Sequence, residues 1–400
     1  MTAAAQTITA ENASSLAGLP YSWEVESAPA ASPAIGPAWL GAYQGIDPRV
    51  PPCQYLLARS GDGRLAALPM HVADAPTTPD ADPRSYFGAA ALSPADRVCC
   101  GSLQDSAATQ VLANLDIADV FPALILGSLP GYRTEIMHSY WTPGLAAGLI
   151  DAAVGYARAH GIATIIAPWV ADLGSAAALA RELERRQAVA SFWAVEHYLP
   201  LRHESLEAQI AAARSRDRYR YNFDMATVRK LGIDVRTLSA AELGASLPRI
   251  GALAAATRRR HGQDIPDTEV ATVLARLLDR SVPLLAVGGF QHGTLVACCV
   301  SVEKAGRIYA KHAGFDYDIL GTRSGAHFAV VMYGTLAAAY DRKASLIEYG
   351  VGAHQAKAFR GCQSRDVTSY LLTDRPHVRD IFRAAAALNS PQRRAEHARL

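Results

Sequence analysis

The sequence predicts an α/β protein built from two copies of one mixed-sheet unit. Three observations carry that prediction. Half of the 400 residues are hydrophobic and 19% are charged, the balance of a chain that buries cores. The last third reads hairpin, strand, long helix, strand, short helix, strand. The first half shows the same order more weakly, and the length leaves room for about two to three average domains.

Residues 1–27 read as a loose leader. They are Ala/Thr-rich, contain Glu11, and have neither a basic stretch nor a continuous apolar one, so they are no secretory signal. A Pro/Ser/Ala stretch over 28–47 leads into a short helix. Residues 55–58 and 65–72 flank Gly61, Asp62 and Gly63 and read as a hairpin; 75–83 is loop by composition. Thr142 caps a helix that has Pro143 at its first position and ends at His160-Gly161. Leu145, Leu149, Ile150, Val154 and Tyr156 mark its buried face. A strand at 163–170, a helix at 176–186 and a strand at 190–201 complete a first unit, 28–204.

Residues 205–238 read as a linker: a basic helical segment to Leu231, then Gly232 and a short strand at 233–238. The second unit, 239–385, opens with a helix to about Arg260. A hairpin follows at 282–290 and 294–303, turning at Gln291, His292 and Gly293. Then come a strand at 307–315, a long helix at 324–342, a strand at 345–350, a short helix at 356–360 and a last strand at 368–372. Residues 386–400 are left as a tail.

The formal net charge is +2, so bulk charge marks no nucleic-acid binder, and an anionic partner must meet a local patch. The longest apolar run, 120–131, contains Pro122 and is too short to span a bilayer, which predicts no membrane partner. Cys53, Cys99, Cys100, Cys298, Cys299 and Cys362 match no zinc spacing, and no metal site is expected. Cys298 and Cys299 lie in an apolar strand and read as small core residues. Reduced thiols in a cytoplasmic protein are the expectation. The nucleophile elbow, the zinc-protease helix, the phosphate-binding P-loop and the dinucleotide fingerprint are all missing, so hydrolase, metalloprotease, kinase and dehydrogenase readings lack support.

Five segments combine residues that can carry chemistry. Gly321, Arg323, Ser324 and Gly325 open the long helix, whose N-terminal N–H groups suit a phosphate; a serine cap with turn glycines is the plain reading. Arg214, Arg216, Arg218 and Arg220 alternate with Tyr219 and Tyr221. On a helix, Arg214 and Arg218 share one face and Arg216 and Arg220 lie nearly opposite, which suits a polyanion as well as a solvated linker. Arg258, Arg259 and Arg260 close a helix, where cations are favoured, or hold an anion. In the strand 307–315, strict alternation puts Tyr309 and Lys311 on one face and His312 on the other. Lysine there can bind a carboxylate or oxyanion and histidine can act as base, unless both are structural. Finally, Glu348, Tyr349, His354, Lys357 and Arg360 crowd a strand-end turn, the end of a sheet that commonly faces a crevice.

Two of these segments together resemble the FemAB-like proteins, the double acetyltransferase-fold branch of the GNAT superfamily. The first is Ser205-Leu206-Glu207 followed by Arg214 to Arg220 and Lys230-Leu231-Gly232-Ile233-Asp234-Val235. The second is Ile347-Glu348-Tyr349-Gly350 with Gly352 and Lys357. The likeness covers roughly residues 50–375 and implies tandem GNAT-like domains in a FemAB-type architecture. It also implies acyl transfer to an amine or hydroxyl of a small-molecule acceptor, with aminoacyl-tRNA or acyl-CoA as donor and no further cofactor. Some members resemble peptidoglycan ligases, and others act in specialised metabolism such as antibiotic biosynthesis. The long coiled-coil insertion of some tRNA-using ligases is missing here, which weakens a cell-wall role.

His312, Glu348, Lys311, Tyr349 and Lys357 are thus the expected catalytic set, with His312 or Glu348 as base and Lys311 or Tyr349 on the oxyanion or leaving group. Tyr309, His354, Arg258, Arg260 and Arg360 are expected to bind the acceptor. Arg214, Arg216, Arg218 and Arg220 are expected to hold a tRNA-borne donor, and Arg323 and Ser324 a coenzyme A pyrophosphate. A non-catalytic binding protein on the same fold is the competing expectation.

Overall fold

The computed structural model describes residues 9–13, 31–59, 65–88, 106–138, 141–142, 144–260, 265–321 and 325–398. Contact density divides the chain into two units. Of the described residues, the first holds those up to 194 and from 365 onward; the second holds those of 195–364. Among the described residues no helix is long and apolar enough to cross a membrane.

The chain enters through β1 (Thr9–Ala13), α1 (Pro37–Tyr43), β2 (Cys53–Arg59) and β3 (Leu65–Ala73). It continues through α2 (Ala107–Leu112), α3 (Ile117–Val120), β4 (Ala123–Leu126), β5 (Met137–His138) and α4 (Leu145–Ala159). β6 (Thr164–Ala171), α5 (Gly174–Arg185) and β7 (Val189–Pro200) follow. Next come α6 (Leu206–Ala212), α7 (Ser215–Lys230), β8 (Ile233–Thr237), α8 (Ala240–Arg260) and α9 (Asp267–Asp279). The second hairpin is β9 (Leu284–Gln291) and β10 (Thr294–Lys304), joined to β11 (Arg307–Phe315) and α10 (Tyr317–Leu320). A π-helical stretch (Phe328–Gly334) runs into α11 (Thr335–Asp341); then come β12 (Leu346–Gly350), α12 (His354–Ala358), β13 (Gln363–Leu372) and α13 (Pro376–Ala398).

The first unit carries a mixed sheet in the order β1-β2-β3-β4-β6-β13, with β5 on β3. Neighbours are antiparallel except β4 and β6, which run parallel. β1 corrects the leader expected over 1–27: Thr9 to Ala13 pair with Arg59 to Tyr55. The strand forms by main-chain pairing along the edge of β2. The hairpin turn at residues 61–63 lies outside the described residues. α4 packs Leu145, Leu149, Ile150, Ala153 and Ala157 against the sheet, the 3.6-residue pattern of its sequence. Its cap is Gly144, with no side-chain hydrogen bond, so Thr142 does not cap it; Pro143 lies outside the described residues.

The tail expected from residue 386 belongs to α13, a 23-residue helix. Its buried side chains include Val378, Phe382, Ala385, Ala386, Asn389 and Arg393. Arg393 donates to Asn389 Oδ1 (3.1 Å) and Trp193 O (2.9 Å), which is how a guanidinium is tolerated inside.

The second unit uses residues 195–200 of β7 and then β12, β11, β10, β9 and β8. β12 is antiparallel to β7 and parallel to β11; the rest are antiparallel. One face packs on the π-helical stretch and α11 through Val287, Val296, Ile308, Phe315, Ile347 and Val330. α8 lies against β11 so closely that a Cβ on Gly314 would stand 2.6 Å from Ala254 N, which only a glycine allows. Two expected elements differ. The basic segment 205–231 is two helices, α6 and α7, broken at Ala213 and Arg214. The long helix is not α throughout: over Phe328–Gly334 it widens to π geometry, with Thr335 Oγ1 bonded to Val330 O. Cys298 and Cys299 are buried free thiols, and burial pushes Cys298 up to about 12. Cys99 and Cys100 lie outside the described residues.

Candidate functional site

The second-unit sheet forks. The parallel ladder of β11 and β12 has three pairs, Arg307 with Leu346, Ile308 with Ile347 and Tyr309 with Glu348. β11 then runs on to Phe315 while β12 ends at Gly350. Among the described residues no main-chain hydrogen bond joins 310–315 to 349–353. Phe315 N–H donates instead to Thr257 Oγ1 of α8 (3.0 Å), and Asp316 N–H donates to Val296 O of β10 (2.8 Å). Strand N–H groups alternate between edges, so Ala313 N–H points to the same edge as Phe315 N–H, into the fork.

β11 does not keep the alternation read from its sequence. His312 pairs with Val300 and Ala310 with Ser301, which leaves Lys311 as a bulge. The bulge reverses the phase. Ile308, Ala310, Ala313 and Phe315 all reach the apolar cluster, while Tyr309 and His312 come to the opposite side of the strand. His312 is buried, and its pKa falls to about 3, first through burial and then through Arg258 and Lys311. It is therefore neutral at pH 7. Glu348 stands beside Tyr309 in the ladder and is buried. Its neighbours Ile347 and Tyr349 both belong to the apolar cluster, so Glu348 takes the other face, with Tyr309.

Beyond Glu348 the turn into α12 is locked. Tyr349 donates its hydroxyl proton to Met332 O (3.1 Å), and burial holds its pKa well above the usual phenol value. Lys357 is buried and donates to the carbonyls of Tyr349 (2.9 Å), Gly350 (3.0 Å) and Val351 (2.9 Å). An ammonium has three protons, and three carbonyls take them, so Lys357 fixes the turn and has no proton left for an oxyanion. His354 lies buried against His197, Nδ1 to Nε2 at 2.9 Å, with one ring the donor.

The arginines separate into groups. Arg258 pairs with Glu269 (3.4 Å) and Arg259 with Asp267 (2.7 Å), both at the start of α9, and Arg260 lies 4.5 Å from the ring centroid of Tyr317. Of this set Arg258 reaches His312 through its charge. Arg360 is inside: it pairs with Asp224 at 2.5 Å, donates to Tyr333 Oη (3.1 Å) and lies over Phe328. Arg216 and Arg220 both stand over Phe359 (4.7 and 5.2 Å). Arg214 meets Asp217 (3.2 Å), and Arg218 folds back onto the carbonyls of Ala211 and Ala213. Tyr219 is 70% exposed and stacks on exposed Phe223, whereas Tyr221 turns inward against Tyr333. Arg323 and Ser324 lie outside the described residues.

Tyr309, Lys311, His312 and Glu348 thus gather at the fork, and Tyr349 turns to the apolar face toward Met332. His354 and Lys357 stand on the turn behind the fork, and Arg214 and Arg360 line a separate pocket. Thr257 and Ala313 went unnoticed in the sequence. Asp224 did too, although two acids seven residues apart on one face of a basic helix, Asp217 and Asp224, are a signal that could have found it.

The first unit has the same fork, filled. β4 and β6 share three parallel pairs, Ala123 with Thr164, Leu124 with Ile165 and Ile125 with Ile166. Thr134 sits where the strands part. Its N–H donates to Trp169 O (3.3 Å), and its hydroxyl is shared between Leu126 O (2.9 Å) and Pro168 O.

Solved structures similar to this one include a conserved protein of unknown function from Bacteroides thetaiotaomicron, with a TM-score of 0.50 at 9% identity over 88% of this chain and 95% of that one. A tandem GNAT protein from the clavulanic acid biosynthesis pathway gives 0.46 at 14% identity over 92% and 99%. FemX gives 0.42 at 10% identity over 58% and 77%. No family model and no curated protein sequence matches. At these identities the likeness is one of fold.

Proposed function

We propose that the chain is an acyltransferase working at the β11/β12 fork of its second unit. It moves an aminoacyl group from aminoacyl-tRNA, or an acyl group from acyl-CoA, onto an amine or hydroxyl of a small acceptor. The observation that carries this reading is the fork itself: main-chain donors of β11 turned toward an edge that β12 does not cover. The acceptor nitrogen or oxygen attacks the donor carbonyl, and the tetrahedral oxyanion takes a hydrogen bond from Ala313 N–H. Glu348 receives the acceptor's proton. The intermediate then collapses: the ribose oxygen leaves with the original bonding pair and takes the proton back from Glu348 to become a hydroxyl, or the sulfur leaves as thiolate and Glu348 gives its proton to solvent. His312, neutral at pH 7, hydrogen-bonds and does not carry charge. Lys357 positions the turn.

The cationic outer face of α7 and the exposed Tyr219–Phe223 stack favour the aminoacyl-tRNA donor. The test is a single-turnover assay with acetyl-CoA or charged tRNA and a panel of small amines, read as released thiol or uncharged tRNA. Acceptor-dependent consumption of one donor is expected, lowered at least about tenfold in Glu348→Gln. Consumption of neither donor defeats the reading. The burial of His312, Glu348 and Lys357 favours one rival, a binding protein on the same fold. That rival predicts donor or acceptor binding without turnover.

A further inference from the structure

A second cavity in the same unit lies on the β7 side of β12, away from β11 and the fork. Its volume is about 300 Å³, enough for a small ligand. The floor is apolar, from Leu199, Ile210 and Leu336; the rim carries the guanidinium groups of Arg202 and Arg214, the imidazole of His203 and the carboxylate of Asp217. Charge at the rim is not balanced. Asp217 meets both Arg214 (3.2 Å) and Arg216 (3.5 Å), so one carboxylate serves two guanidinium groups. No carboxylate pairs with Arg202 among the described residues. Arg360, the remaining arginine of the wall, is neutralised by Asp224 behind it.

The walls are held in place without a ligand. Tyr333 Oη accepts from Arg360 and donates to Asp224 (3.2 Å). Tyr340 donates to Gln209 from the opposite side, and Arg218 fastens the α6–α7 turn through the Ala211 and Ala213 carbonyls. A preformed pocket with an apolar floor and excess positive charge at its mouth selects an amphipathic anion: the apolar body is desolvated below, and the charged head is met above.

We propose that this pocket binds a small organic anion, a carboxylate or phosphate monoester on an aromatic or branched apolar body, at a site separate from the transfer fork. The experiment is calorimetric titration of the full chain with phenyl phosphate, benzoate, benzyl alcohol and inorganic phosphate. At least one of the two aromatic anions is expected to saturate a single site, and whichever binds identifies the head group. Benzyl alcohol and inorganic phosphate are expected to bind more weakly by roughly tenfold or more, because each lacks one half of the recognition. Arg202→Ala with Arg214→Ala should weaken the aromatic anion by roughly tenfold or more. Both arginines are exposed, so the change removes charge without opening the core. Ile210→Trp, which fills the floor, should abolish binding while its unfolding curve shows the chain folded. Three results overturn the proposal: no saturable binding of either aromatic anion, full affinity in the double variant, or inorganic phosphate binding as well as phenyl phosphate. Transfer is not read in any arm, so failure of the acyltransferase reading leaves this test intact.

Discussion

Two forks built to the same plan are finished differently. In each unit a parallel ladder of three pairs ends and its strands part. In the first unit the chain inserts its own Thr134, which serves the main chain of both strands at once. Backbone in the left-handed region accompanies this stopper: Tyr132 at φ 50° and Trp169 at φ 51°, conformations that bulky side chains rarely adopt. Tyr132, Tyr86 and Trp193 pack edge-on around Trp169 and hold it there. In the second unit the corresponding edge of β11 stays turned toward the fork, and a threonine of α8, Thr257, secures only its far end. If the proposed transfer takes place at the second fork, the two units differ in use through local choices at a single strand boundary.

The harshest trial of this comparison is to separate the copies. A fragment of residues 1–204 lacks β13 and α13, which belong to the first unit, and is expected to stay unfolded. Dispersed amide resonances from that fragment would show the copies to be independent. Lys357→Met removes the donor to three carbonyls and should cost about 3 kcal/mol, measured by urea unfolding, with transfer lost as the turn loosens. The two threonines give a crossed pair. Thr134→Val should cost about 1–3 kcal/mol and leave transfer within about twofold. Thr257→Val should have a similar or smaller stability cost but lower transfer by roughly tenfold, since β11 loses its anchor. Equal effects on transfer would erase the distinction between the forks.

The smallest effect is one both units share. His312, and His71 at about 4, are driven down by burial and stay neutral when folded. Unfolded, each protonates near 6.5. Between those values the unfolded chain binds more protons, so stability rises with pH there and falls as pH drops below about 6.5. Unfolding free energies from urea titrations at pH 7 and pH 5 should differ by about 1–2 kcal/mol per histidine. His312→Asn and His71→Asn should each flatten part of the profile, and an unchanged slope in both would reject the assignment.

Much of the element order was legible because hydrophobic period and turn residues act locally. The hairpin around Gly293, the strand at 164–171 and the helix at 145–159 follow directly from their patterns. α9 was legible and overlooked: Val270, Val273, Leu274 and Leu277 repeat at helical spacing. α13 was harder, because Asn389, Ser390 and Arg393 look solvated until Ser191, Phe192 and Trp193, some 200 residues earlier in the chain, supply their partners. At the fork, Glu348 stood out in the sequence as a polar residue near a strand end and Tyr309 as part of a strand carrying Lys311 and His312, and the ladder sets the two side by side. The face of His312 was misread, since a bulge depends on the partner strand and leaves no mark in its own sequence.

The place of β13 and α13 in the first unit has a consequence for synthesis. The ribosome finishes most of that unit's sheet early, yet the strand that pairs with β6 and the helix that covers Phe87 arrive only with residues 363–398. Until then the edge of β6 and the aromatic floor beneath α13 stand uncovered. This protein is exposed to mispairing while about half of its chain is being made, between β6 and β13, and its dependence on chaperones should be set by the time between those two events.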